Sequence, residues 1–102
     1  MPQDQDSTSV IEKTDQKVKK PSMYSVLLLN DHYTTMEFVV LILEKTFNKS
    51  RLEAEKIMLE VHNNGSGQAG IYVKEIAETK VNEVHKLAMS HEHPLKCIIK
   101  EI

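Results

Sequence analysis

Hydrophobic positions are sparse up to Ser22, where Val10, Ile11 and Val18 are the only branched aliphatic residues among Asp, Gln, Ser, Thr and Lys. A stretch with no repeating apolar face has nothing to bury, so residues 1–22 read as a flexible N-terminal arm and residues 23–102 as the folded domain. From Tyr24 to Leu29 a short apolar, β-compatible run ends at the turn-prone pair Asn30-Asp31, which predicts a strand and a loop. Thr34-Thr35-Met36-Glu37 matches a capping box, and Met36, Val39, Val40, Leu43 and Phe47 then recur at steps of three and four, predicting a helix to about Phe47. Ser50-Arg51-Leu52-Glu53 opens a second helix, with Ala54, Ile57, Met58 and Val61 on one face and Asn63-Asn64-Gly65 as its stop. The two helices form a hairpin.

The cluster Gly65-Ser66-Gly67-Gln68-Ala69-Gly70 reads as turn chemistry leading into a short strand, Ile71-Tyr72-Val73. It is a poor phosphate loop, because no Lys-Ser/Thr pair follows and no helix begins there. A third helix is predicted from Lys74 to Ser90, with Ala77, Val81, Val84 and Ala88 buried and Glu75, Glu78, Lys80, Glu83 and Lys86 outside. After His91-Glu92-His93-Pro94, the alternation from Leu95 to Ile102 predicts a last strand, with Leu95, Cys97 and Ile99 on its inner side. The order β-α-α-β-α-β implies an α+β domain, a small three-stranded antiparallel sheet with three helices on one face.

Composition narrows the function. The 102 residues carry 13 Lys and Arg against 15 Asp and Glu, a formal charge of -2, so the surplus of basic residues that nucleic acid demands is missing. The arm's four acidic and four lysine side chains cancel, which leaves it without a polybasic character. One Cys gives no internal disulfide, and the start MPQDQDSTS resembles no secretory signal. The longest apolar run, Phe38 to Leu43, is six residues and too short to span a bilayer. The expectation is a cytoplasmic, free-standing, monomeric protein with no membrane or nucleic-acid partner and no cofactor.

Candidate chemistry divides into two groupings. His91, His93 and Cys97, with His62 further off, suggest a small metal- or cysteine-dependent enzyme. Their spacing lacks the paired ligands of a zinc site, and a Cys on the inner side of a strand is a poor nucleophile. Asn30 and Asp31 at the strand end, Met36 and Val39 on the first helix, and Met58, Val61 and His62 on the second suggest instead polar acceptors beside a soft apolar wall. Met and Val at helical spacing are equally the mark of a core, and periodicity leaves the two readings open.

Pro21-Ser22-Met23-Tyr24, the stretch Asn30 to Val39 (NDHYTTMEFV), Met58-Leu59-Glu60-Val61-His62, Ala77-Glu78-Thr79-Lys80-Val81 and His93-Pro94-Leu95-Lys96-Cys97 together resemble the ClpS adaptor family, from about Pro21 to Ile102. The resemblance implies a bacterial adaptor, not an enzyme, that binds proteins beginning with Leu, Phe, Tyr or Trp and hands them to the N-terminal domain of the ClpA unfoldase for degradation by ClpAP. It implies that Asn30, Asp31, His32 and His62 hold the substrate's N-terminal ammonium. Thr34, Met36, Val39, Met58, Val61 and Leu95 would line the hole for the side chain, Met36 turning away β-branched residues. Glu75 and Lys80 would meet the unfoldase. His32 departs from the usual pattern, in which a second Asp follows Asn-Asp, and so removes a carboxylate near the ammonium.

Overall fold

The structure is a computed structural model that describes residues 20–102. The flexible arm expected over residues 1–22 therefore falls almost wholly outside the described residues. Strand β1 (Met23–Leu29) leads to α1 (Met36–Lys45) and α2 (Arg51–Asn64), followed by β2 (Ser66–Val73), α3 (Lys74–Ser90) and β3 (Lys96–Glu101). The sheet is antiparallel in the order β2-β1-β3, so the first strand is central and both later strands flank it.

Alternation along β1 decides which face is covered. Val26 and Leu28 are fully buried and meet Phe38, Val40, Ile42 and Leu43 of α1 in one core. Helix α3 packs across all three strands, while α1 packs on α2 and α2 on β2. The buried positions of α3 include Ala77 and Ala88, and these short side chains let a 17-residue helix lie close to the sheet. On the opposite face Ile71 and Ile98 remain exposed, and the hydroxyl of Ser25 donates to Gln68 Oε1 at 2.7 Å.

Strand β2 departs from the sequence reading. It begins at Ser66, not Ile71, and the glycine-rich segment is part of the sheet, with Ser66, Gly67, Gln68 and Gly70 opposite Leu29, Leu28, Leu27 and Val26. The register shifts between Val26 and Leu27, leaving Ala69 as a buried extra residue. Glycine is needed here for closeness of approach: a Cβ at Gly67 would stand 2.8 Å from Val61 Cγ2 and 3.2 Å from the Ile57 carbonyl oxygen. Two boundaries move slightly, α1 ending at Lys45 and β3 starting at Lys96.

Candidate functional site

Beyond Leu29 the chain is fixed by its own polar groups. The N–H of Asn30 donates to the carbonyl of Gly65 at 2.9 Å, and the Gly65 N–H donates to Val61 at 3.0 Å. Gly65 caps α2 with φ of 92°, a left-handed conformation that glycine adopts without strain. The end of β1 is thereby tied to the last turn of α2, where His62 lies.

Asp31 organises the loop that follows. Its Oδ1 accepts from the N–H groups of Tyr33 and Thr34 at 2.7 and 2.6 Å, and its Oδ2 accepts from the Thr34 hydroxyl at 2.7 Å. Partial burial by itself would raise the carboxyl's pKa, but these three donors and the nearby charge of His93 outweigh it and hold the group below the usual carboxylate range. Thr34 is thus engaged by Asp31, and the cap of α1 is Thr35, whose Oγ1 accepts from Phe38 N at 3.1 Å. The predicted Thr34–Glu37 capping box is one residue out of place for this reason. The Ser50 cap of α2 stands, its hydroxyl accepting from Glu53 N at 3.2 Å.

A cavity of about 240 Å³ opens between the loop, α1 and α2. Asn30, Asp31, His32 and His62 line it together with Thr34 on the polar side. Met36, Val39, Met58 and Val61 line the apolar side. Val39 and Val61 belong to the core, whereas Met36 is 45% exposed and Met58 half-buried, so rigid valines form the floor and flexible methionines the rim. At the polar side the C-terminal end of α2 adds the partial negative charge of its last carbonyls. A ligand with a cation next to an apolar group matches both ends.

Leu95 is not among the residues lining this cavity. It is 3% exposed and borders a more open groove of about 500 Å³ between α3 and β3, together with His85 and Cys97. Lys80 is likewise less exposed than its place outside the α3 stripe suggested. Its ammonium donates to the carbonyl of Thr46 at 2.8 Å, at the end of α1, and lies 5.8 Å from the centre of the Tyr72 ring. Glu75, in the first turn of α3, is exposed.

The metal- or cysteine-dependent alternative loses its geometry. Helix α3 ends in a Schellman turn, with Glu92 N–H donating to Met89 and His93 N–H to Ala88 and Glu92 at φ of 60°. That turn sets His91 and His93 against the buried Phe38, with ring centres 5.2 and 4.5 Å away. His85 Nε2 accepts from the Cys97 backbone N–H at 3.1 Å, and burial pushes the Cys97 thiol up to about 12, far from a reactive thiolate. Among the described residues no three His, Cys, Asp or Glu side chains converge as metal ligands.

A family model described as ATP-dependent Clp protease adaptor protein ClpS matches residues 19–98. The chain belongs to the ClpS family. It is 56% identical over 94 residues to the ATP-dependent Clp protease adapter protein ClpS 1 of Rhizobium meliloti, covering 92% of this chain and 80% of that protein. With the ClpS of Parvibaculum lavamentivorans it shares 58% identity over 93 residues, covering 91% and 84% of the two chains. The solved structure of Agrobacterium tumefaciens ClpS2 bound to L-phenylalaninamide resembles it with a TM-score of 0.79 and 34% identity, over 81% of this chain and all of that one. As a ClpS protein, the chain is an adaptor of the Clp protease and not an enzyme, with that protease and its substrates as partners. No helix among the described residues is long and apolar enough to cross a membrane.

Gly65 carries no signal of a part in the site in the sequence, since Asn63-Asn64-Gly65 reads as a helix stop. Its carbonyl is what holds Asn30 beside α2.

Proposed function

We propose that the cavity receives the first residue of a protein substrate, and that the chain delivers substrates with N-terminal Leu, Phe, Tyr or Trp to the ClpA unfoldase for degradation by ClpAP in the cytoplasm. The observation that supports this most is the two-ended lining, polar groups around Asn30 and His62 and an apolar floor of Val39 and Val61, within one cavity of about 240 Å³. L-phenylalaninamide, the ligand of the Agrobacterium protein, is chemically the start of a polypeptide: a free α-amine, a benzyl side chain and an amide in place of the next peptide bond.

In this reading Asn30 Oδ1 and a ring nitrogen of His62 accept from the ammonium, which has three donors to place. Asp31 supplies negative charge while its oxygens hold the loop, and His32 completes the polar rim. Thr34, Met36, Val39, Met58 and Val61 enclose the side chain, with Leu95 supporting the fold behind them. Burying a large apolar side chain contributes about 1.5–3 kcal/mol, and each hydrogen bond to the charged amine about as much. Together they reach the roughly 8 kcal/mol that corresponds to a micromolar Kd. One chain contains the complete cavity, so a monomer suffices.

Glu75 and Lys80 belong, in the same reading, to the surface that meets the N-terminal domain of ClpA. The Lys80 ammonium spends one of its three donors on Thr46 and keeps two for a partner. The experiment is binding of twenty peptides that differ only in their first residue. Tight binding confined to Leu, Phe, Tyr and Trp supports the reading, and indifference to the first residue overturns it.

A further inference from the structure

We propose that the mouth of the cavity selects on the charge of the substrate's second residue, with His32 as the specificity-determining side chain, and that it favours an acidic residue there over a basic one. The inference rests on the cavity holding the first residue. With the ammonium at the polar end and the side chain on the valine floor, the chain must leave at the opening. Consecutive Cα atoms are about 3.8 Å apart, so the second residue lies beside the groups that hold the ammonium.

Those groups have an uneven charge inventory. Among the described residues Asp31 is the only carboxylate lining the cavity, and three of its acceptor sites are occupied by Tyr33 N, Thr34 N and Thr34 Oγ1 at 2.6–2.7 Å. Its oxygens are committed to its own loop, so its charge reaches the ammonium but it offers few acceptor sites to a second residue. His32 and His62 line the same cavity, are both exposed, and have no partner among the side-chain hydrogen bonds of the described residues. An imidazole offers an N–H to a carboxylate in either protonation state, and takes up a second proton to pair with it more strongly. A lysine at the second position would find no uncommitted carboxylate among the described residues that line the cavity and would set another positive charge next to the seated ammonium. His32 adjoins Asp31 in the loop, whereas His62 is engaged by the ammonium itself, so His32 is the imidazole left for the second residue.

The test uses the full chain and three fluorescent peptides, identical except for Phe-Glu, Phe-Ala or Phe-Lys at their start, titrated at pH 7 and low salt. Exposed charge pairs change affinity by roughly two- to fivefold, so Phe-Lys should bind about that much more weakly than Phe-Glu. His32→Ala should bring the ratio close to one, and His32→Asp should invert it. Equal binding of the three peptides by the unmodified protein, or a ratio that His32→Ala leaves unchanged, overturns the inference while the cavity reading stands. Binding of none of the three overturns the cavity reading and this inference with it.

Discussion

The five histidines fall into two regions that use the same side chain in opposite ways. Around the C-terminal half of α3 and its connection to β3, His85 on the helix accepts from Cys97 N–H, while His91 and His93 in the connection lie against the Phe38 ring. At the cavity mouth, His32 and His62 are exposed and line a space large enough for a ligand. The first group is consumed by the fold and the second is available to chemistry. Counting histidines therefore says little about a site; what matters is whether each ring's polar atoms and faces are already occupied.

That contrast can be broken most forcefully at Phe38. It is 5% exposed and touches both imidazoles of the connection, so Phe38→Ala should lower stability by about 3–5 kcal/mol in urea denaturation. A loss below 1 kcal/mol would mean that the rings do not pack as a unit. At the other region His62→Ala should weaken a Phe-starting peptide by roughly 10- to 100-fold, the worth of one hydrogen bond to a charged group. Its melting temperature should stay within about 2 °C, since the ring is exposed. A large fall in melting temperature would put His62 with the structural group.

Asp31 lies between the two, a cavity residue that also builds the loop. Its carboxyl is held below its ordinary value in the fold, so the stability it contributes is complete above the usual carboxylate range and disappears as pH falls through the lowered value. Asp31→Asn should lower stability by about 1–2 kcal/mol at pH 7, and the gap to the unmodified protein should close in strong acid. A gap independent of pH would contradict this sign. The smallest effect is expected at His85: His85→Ala removes one acceptor from Cys97 N–H and should cost about 0.5–1.5 kcal/mol without altering peptide binding.

All six elements were legible in the chain, because apolar residues at steps of two or three and four have to meet a core. The first half of β2 was not, since glycine is a poor strand former by itself and Gly67 is required by the approach of Val61 and Ile57 on the preceding helix, which no strand pattern reveals. The cap of α1 slipped by one residue because two threonines stand side by side and only Asp31 decides between them. Lys80 reads as a solvated charge until Thr46 is seen to accept from it. The cavity itself was ambiguous for a physical reason: Val39 and Val61 are core residues whose outer surface is also the cavity floor. Periodicity could say that they were apolar and shared a side with Met36 and Met58, and the motif resemblance was needed to read that side as a binding surface. Leu95 shows the limit of such transfer, being buried beside the cavity's supporting core and not on its lining.

In the proposed mode of binding, Asn30 and His62 hold a free ammonium while the valine floor holds the neighbouring side chain. Fluorescence anisotropy on a Phe-starting peptide with a label at its far end, compared with the same peptide acetylated at its N-terminus, tests this directly. The free peptide should bind with micromolar or tighter affinity and lose at least about 100-fold on acetylation, since two hydrogen bonds to a charge disappear together. Equal affinity of the two peptides would contradict it.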